Sequence, residues 1–144
     1  MLIDEDGIGG GVLDLVPGAL GFSGGSAPFG KIGEKEVREN YDNLRAQCCY
    51  HLSQMARDRK ICVSEENLET RERISDDLKQ IKRRDSDKEG KLKVSKKEDM
   101  KQALGRSPDC GDTMMMRSYF DLRVREQEIA TQGKVSVFIP DLEE

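Results

Sequence analysis

The feature that most narrows the fold of this 144-residue chain is its opening stretch, MLIDEDGIGGGVLDLV. A short apolar run ends in Asp4, Glu5 and Asp6, glycines dominate the next five residues, and apolar residues resume at Val12. This order is typical of a strand, a tight turn and a helix. With the helical patterns found further along the chain, it predicts an α/β fold.

The glycines after the first predicted strand resemble a nucleotide-binding loop, but their neighbours argue against one. A phosphate loop presents backbone N–H groups to an anion, and the carboxylates of Asp4, Glu5 and Asp6 would repel that anion. Carboxylates at the end of a strand are instead the hard oxygen ligands that magnesium or manganese prefers. The opening stretch therefore predicts cation chemistry rather than phosphate binding.

The stretch GRSPDCGDTMMM, residues 105–116, has two interpretations. Ser107 can cap a helix, Pro108 suits a first helical turn, and an acidic residue there favours the helix dipole. A helix start accounts for one acidic residue in the first turn, but it gives no reason for a second one. Asp109 and Asp112 would lie on the same helix face, where adjacent carboxylates are unfavourable unless a cation or a basic partner lies between them.

The rest of the chain predicts a small number of further elements. A second strand is expected within residues 18–22, and helices over residues 35–60 and 64–84. A turn at residues 87–90 precedes the alternating residues 92–94, and the apolar alternation of Val135, Val137 and Ile139 favours an extra strand or a partner-binding segment in the tail. The longest helix is expected at residues 35–60.

A basic cluster lies directly upstream of the two aspartates. The chain as a whole has 28 acidic and 24 basic residues and a net charge of -4, so any nucleic-acid surface has to be local. The basic cluster comprises Lys91, Lys93, Lys96, Lys97, Lys101 and Arg106. It is either an ordinary solvated surface or a phosphate-binding surface beside the carboxylates.

The spacing of the cysteines and the lack of a signal-peptide pattern predict an intracellular protein without a membrane segment. None of the four cysteines has C-x-x-C spacing, so we expect reduced, structural thiols. The opening lacks the pattern of a signal peptide, and no apolar run approaches the ~20 residues that span a bilayer. His51, the single histidine, is not expected to be a ligand or a base.

Three ordered stretches together resemble the C-terminal nuclease domain of bacteriophage large terminase subunits. They are LIDEDGIGGGVLD, NLRAQ and KLKVSKKEDMKQALGRSPDCGD, and they cover about two thirds of the chain. The family's D-x-x-G-x-G-x-x-x-D pattern is matched by Asp4, Gly7, Gly9 and, one residue later, Asp14. Its N-x-R-A-Q helix and its G-R-S-P-D-x-x-D ending are matched at residues 43–47 and 105–112.

The resemblance implies a partial ribonuclease H-like fold, a small sheet flanked by helices, in which carboxylates from separate elements hold two Mg²⁺ or Mn²⁺ ions. It implies Asp4, Asp109 and Asp112 as the catalytic and metal-binding residues. The basic cluster beside these aspartates then supplies the expected DNA-binding residues, Lys96, Lys97, Lys101 and Arg106. The implied activity is the cutting of concatemeric double-stranded DNA during genome packaging, with the portal and the small terminase subunit as partners of the complete protein.

The departures from the family pattern shape the remaining expectations. In the family an essential aspartate lies on a strand upstream of the LIDEDG strand, so we expect the first three strands and one metal ligand to be absent and the isolated chain to be inactive. Thr113 also replaces the family's alanine. Bare sheet edges favour a homodimer. We expect the nuclease-type part at residues 1–120, a tail at 121–144, and a phage or prophage protein in the bacterial cytoplasm.

Two other classes of protein remain open from the sequence. A RuvC-like resolvase or transposase fragment would share the same carboxylates but act on branched DNA or DNA ends. A non-catalytic helical interaction protein would leave the acids and lysines solvated. A metal titration separates the second class from the nuclease interpretation, because only a metal site predicts cation-dependent stability.

Overall fold

The chain combines helices with short strands, as the sequence predicted. The computed structural model describes residues 1–6, 9–30, 40–84 and 90–132, with side chains as far as residue 123. The elements in chain order are β1 (Leu2–Asp4), α1 (Gly9–Leu13), β2 (Leu20–Phe22), α2 (Leu44–Arg57), α3 (Leu68–Lys79), β3 (Arg83–Arg84), β4 (Lys93–Val94), α4 (Lys97–Leu104) and α5 (Asp109–Gln132). The α/β class and the small sheet flanked by helices are confirmed.

The opening stretch forms the predicted strand, but α1 begins within the glycines at Gly9 and ends at Leu13, earlier than the apolar run from Val12 predicted. Strand β1 pairs in parallel with β2, with Leu2 opposite Leu20 and Asp4 opposite Phe22, and α1 lies between the two strands in sequence. The amide of Glu5 extends the ladder by donating to the Phe22 carbonyl at 2.9 Å. Asp4 is therefore held at the carboxyl end of a parallel strand, the edge at which open α/β sheets bind ligands.

Helix α2 begins later than the sequence predicted. The prediction of a helix over residues 35–60 is wrong at residues 40–43, and residues 35–39 lie outside the described part. The backbone around Tyr41 instead pairs with Leu92, and the Asn43 side chain caps the helix by accepting from the Ala46 amide at 2.9 Å. An apolar stripe cannot show this boundary, because the competing backbone partner lies about fifty residues away in sequence.

Helix α3 is shorter than the predicted range 64–84. Asn67 caps its start by accepting from the Thr70 amide at 3.1 Å. At its other end Arg83 and Arg84 pair antiparallel with Val94 and Lys93, so these residues form a strand rather than a last helical turn. The alternating residues 92–94 contain strand β4, Lys93–Val94, and Leu92 bridges to Tyr41. The turn predicted at residues 87–90 lies mostly outside the described residues.

The core lies between α2 and α5, with β2 packed against it. Its fully buried members are Phe22, Leu44, Cys48, Cys49, Leu52, Met115 and Leu122. Burial raises the pKa of the Cys48 thiol to about 12 and that of Cys49 to about 11, although the charge of Arg45 counteracts the rise at Cys49. Neither thiol is a reactive thiolate at neutral pH, which agrees with a packing role.

The longest described helix is α5, with 24 residues, so the expectation that residues 35–60 hold the longest helix is wrong. Helix α5 crosses the boundary predicted between residues 120 and 121, and the predicted tail strand lies outside the described residues. Of the helices in the described part, none is long and apolar enough to cross a membrane. The start of α5 carries Asp109 and Asp112 in its first turn.

Candidate functional site

Asp4, Lys97 and Asp112 meet at one point although they come from three separate elements. The Lys97 Nζ atom lies 3.3 Å from Asp4 Oδ2 and 2.8 Å from Asp112 Oδ2. Asp4 ends β1, Lys97 begins α4, and Asp112 lies in the first turn of α5. One ammonium group therefore bridges two carboxylates that are more than one hundred residues apart in sequence.

The bridge is partly shielded from water, most of all at Asp112. The Asp112 side chain is only 12% exposed, whereas the side chains of Lys97 and Asp4 are 31% and 36% exposed. Asp112 Oδ2 is a buried oxygen whose negative charge is met by the Lys97 ammonium at 2.8 Å. A buried carboxylate oxygen needs such a cationic partner, so this is a position at which the protein accommodates a cation.

The charge of Lys97 is set by opposing effects. Burial disfavours its charged form, but the contacts with Asp112 and Asp4 outweigh burial and raise the pKa of the Lys97 ammonium above its ordinary value. Lys97 is therefore protonated at neutral pH. Its positive charge offsets the repulsion that two neighbouring carboxylates would otherwise experience.

The acidic turn after β1 holds Asp4 in place. The Asp6 amide donates to Asp4 Oδ1 at 3.0 Å, so this oxygen faces its own turn while Oδ2 faces Lys97. The Asp6 carboxylate in turn accepts from Ser23 Oγ at 3.2 Å and from the Gly24 amide at 3.1 Å. Asp6 thus ties the turn after β1 to the turn after β2.

Asp109 differs from the other two predicted site aspartates. It is exposed, its carbonyl accepts from Thr113 Oγ1 at 2.8 Å, and its carboxylate takes part in no ion pair among the described residues. Within the same described ranges, no group of three or more acidic, histidine or cysteine side chains is placed to hold a metal ion. The structure therefore brings together Asp4 and Asp112, with Asp109 one helical turn away.

The four predicted DNA-binding residues divide into two pairs. Lys96 and Lys101 are exposed. Lys97 is engaged between the two site carboxylates, and Arg106 Nη1 lies 2.6 Å from Asp77 Oδ1. The charges of Lys97 and Arg106 are thus already partnered within the chain, while those of Lys96 and Lys101 face solvent.

Sequence reasoning did not recognise the residues that hold this site together. The guanidinium of Arg45 donates to the Ser95 carbonyl at 2.7 Å and to Met100 Sδ at 3.2 Å, which fixes the segment leading into Lys97. The Gln47 amide group accepts from and donates to the backbone of Phe29 at 2.7 Å and 3.2 Å. The NLRAQ stretch was the available signal, since its polar residues recur on an otherwise core-facing helix.

Comparison with known proteins places this geometry in a family context. No protein-family model and no curated protein sequence matches the chain significantly. The solved nuclease domain of the large terminase subunit gp2 of bacterial virus Sf6 is 27% identical, with a TM-score of 0.60. The match covers 81% of this chain and 63% of that one.

Two further solved structures of the Sf6 protein match in the same way. One is a lysine-to-alanine mutant of the nuclease domain with manganese and beta-thujaplicinol, at 25% identity, and the other is a mutant gp2c with calcium, at 26%. Both have a TM-score of 0.60 and cover 81% of this chain and 63% of the other. The chain thus spans less than two thirds of the Sf6 domain, and over 81% of its own length it has the fold of a phage large-terminase nuclease domain, as its three ordered motifs predicted.

Proposed function

We propose that this chain is part of a metal-dependent nuclease of the phage large-terminase type, which cuts concatemeric double-stranded DNA during genome packaging. The observation that carries the proposal is the convergence of Asp4 and Asp112 on one positive charge at the carboxyl end of β1. The structural likeness to the Sf6 domain supports it. A RuvC-like resolvase would use the same carboxylates.

The residues present suit a divalent cation. Asp4 and Asp112 supply hard carboxylate oxygens, and Asp112 Oδ2 is buried against a single positive charge, that of Lys97. Mg²⁺ and Mn²⁺ are bound through one or two carboxylates with several waters, so two converging aspartates suffice for one ion. When bound, such ions activate water and stabilise the leaving oxygen of a phosphodiester. We propose Asp109, on the same face of α5, as a further ligand once DNA or the rest of the protein is present.

Lys97 has two roles in this proposal. Its ammonium holds the Asp4 and Asp112 carboxylates close together, so the oxygens are already arranged for a cation. The same ammonium competes with a divalent cation for these oxygens, because both are attracted by the same negative charge. Metal binding by the chain is therefore expected to be weak, and Lys97 is expected to leave at least Asp112 when a metal binds.

The proposed partners follow from the site and from the family. Double-stranded DNA is the proposed substrate, and the exposed Lys96 and Lys101 are proposed to contact its phosphates without reading sequence. The portal and the small terminase subunit are proposed partners of the complete protein. The homodimer remains a prediction that solution size measurements test.

The experiment that tests the proposed function is a metal titration followed by thermal unfolding. Millimolar Mn²⁺ is expected to raise the unfolding temperature of the chain, because a ligand that binds only the folded state stabilises it by mass action. Asp112→Asn should remove this rise. Asp76→Asn is the matched control, since Asp76 lies on α3 in an exposed pair with Lys79. An equal rise in all three proteins would mean that the metal binds elsewhere.

A further inference from the structure

Asp77 is a buried carboxylate on α3 that accepts a hydrogen bond from the first turn of α5. It is 0% exposed, although aspartate is rarely buried completely unless it is paired. Its Oδ2 atom accepts from the Gly111 amide at 3.1 Å. Gly111 precedes Asp112 directly, so this hydrogen bond is made to the turn that carries the site carboxylate.

Arg106, in the connection between α4 and α5, contacts the other oxygen of the Asp77 carboxylate. Its Nη1 atom lies 2.6 Å from Asp77 Oδ1, an ionic contact outside hydrogen-bond geometry. The guanidinium also donates to the carbonyls of Ser107 at 3.1 Å and Arg73 at 3.5 Å. The Asp77 carboxylate thus binds both the first turn of α5, through Gly111, and the segment before it, through Arg106.

The backbones of α3 and α5 lie close together where Gly111 meets Asp77. A Cβ atom at Gly111 would lie 2.9 Å from Asp77 Cβ and 3.5 Å from the Asp77 carbonyl carbon. A Cβ atom essentially never comes within 3.0 Å of a heavy atom of a distant residue, so any side chain at this position would force α5 and α3 to shift apart. The close approach and the hydrogen bond fix the same turn.

We propose that Asp77 is a positioning residue for the metal site, because it holds the first turn of α5 and thereby the Asp112 carboxylate. The inference rests on the proposed metal-binding function. The Gly111 amide is one of the N–H groups that a helix start leaves without an internal partner, and a carboxylate is the acceptor that the helix dipole favours there. Groups that orient a metal ligand change metal affinity without touching the metal.

The test is Mn²⁺ affinity, measured on the full chain from the paramagnetic resonance signal of free Mn²⁺, with folding checked by circular dichroism. Asp77→Ala removes both the acceptor and the charge, and we expect about a 10- to 100-fold loss of affinity, as for other groups that orient metal ligands. Asp77→Asn keeps an oxygen for the Gly111 amide and should retain most of the affinity. Equal losses in the two variants would overturn the role of the hydrogen bond.

Two controls separate positioning from general destabilisation. Asp76→Ala changes an exposed neighbour on the same helix and should leave the affinity unchanged. Leu52→Ala removes a buried core side chain of α2 and lowers stability, but should not lower the Mn²⁺ affinity of the folded protein. If Leu52→Ala loses as much affinity as Asp77→Ala, the effect is a loss of stability and the positioning role is wrong.

A second variant, Gly111→Ala, tests the same positioning of α5 if Asp77→Ala does not fold. Gly111→Ala leaves the Asp77 carboxylate in place but pushes the two helices apart, and it should lower Mn²⁺ affinity about tenfold or more. Unchanged affinity in Gly111→Ala or in a folded Asp77→Ala overturns the inference while the metal site itself stands. Equal Mn²⁺ affinity in the parent chain and in Asp112→Asn means instead that the proposed function has failed, and the inference with it.

Discussion

Lys97 shows what a sequence can and cannot say about a single residue. The basic cluster at residues 91–106 was visible in the sequence, and so was its position beside the aspartates. The sequence did not show which lysine points inward, because that depends on where α4 begins and on how β1 lies beside it. Lys96 is exposed while its neighbour Lys97 contacts Asp4 and Asp112.

The stabilising contribution of Lys97 should depend on pH in a defined direction. Because its pKa is raised in the folded chain, its contribution is fully present below the ordinary value of 10.5 and is lost as the pH rises through the raised value. Lys97→Met should cost about 1–2 kcal/mol of unfolding free energy at neutral pH, between the values for exposed and buried pairs. The difference between parent and variant in urea unfolding should shrink in strongly alkaline buffer.

The matched control for Lys97 is Lys79→Met, which breaks the exposed pair with Asp76. Exposed pairs contribute little, so this change should cost less than about 0.5 kcal/mol and show no comparable dependence on pH. Mn²⁺ should also stabilise Lys97→Met more than the parent chain, because the competing ammonium is gone. A cost for Lys97→Met that stays constant from neutral to alkaline pH would contradict the bridging role.

At the scale of elements, the predictions held where the signal was local and were wrong where a distant partner decided the outcome. Strands β1 and β2 follow from apolar runs in consecutive sequence and are confirmed, and a helix forms between them although it begins earlier than predicted. Helix α2 starts late because Leu92 pairs with the backbone around Tyr41, and α3 ends early because Arg83 pairs with Val94. Periodicity within a window carries no information about such partners.

The two asparagine caps give a prediction at this scale. Asn43→Ala and Asn67→Ala should each lower the unfolding free energy by about 1 kcal/mol, because each side chain accepts a hydrogen bond from the first turn of its helix. Lys96 occupies the corresponding position before α4 without a side-chain hydrogen bond, so Lys96→Ala is the control and should change stability by less than about 0.5 kcal/mol. Equal costs in urea unfolding for all three variants would refute the capping assignment.

Glycine positions offer a second comparison between elements. Gly111→Ala should cost about 1–3 kcal/mol, because the new methyl group meets Asp77 at 2.9 Å and overpacks the α3–α5 contact. Gly10→Ala lies in α1 with nothing within 4 Å and should instead be neutral or stabilise the chain by up to about 1 kcal/mol. In calorimetry, only Gly111→Ala should lower the unfolding temperature if the helix contact is as described.

At the scale of the whole molecule, the site could be anticipated only through the order of its motifs. Nothing in the periodicity of the chain brings Asp4 beside Asp112, since their separation is far longer than any local pattern. The resemblance to terminase nuclease domains supplied that convergence in advance, and the fold agrees with it over 81% of the chain. The resemblance also named Asp109 as a site residue, and the structure leaves its carboxylate exposed one turn away.

DNA binding by the whole chain should depend on the exposed lysines and on salt. The double variant Lys96→Glu and Lys101→Glu should weaken binding to a short duplex. The slope of log affinity against log salt concentration should also become shallower, by about 0.9 for each phosphate that the protein no longer neutralises. Lys79→Glu, on the exposed surface of α3, is the charge-matched control for one such change. Fluorescence anisotropy that shows the same salt slope for parent and double variant would return these lysines to an ordinary solvated surface.

Cleavage is the property that the chain alone is expected to lack. Two-metal hydrolysis needs one ion at the attacking oxygen and one at the leaving oxygen, whereas among the described residues only Asp4 and Asp112 converge on a common charge. Plasmid incubated with the 144-residue chain and Mn²⁺ should therefore remain supercoiled. Robust nicking that disappears in Asp4→Asn and Asp112→Asn would show that the chain completes a two-metal site by itself. Nicking that survives both changes would place the catalytic site elsewhere.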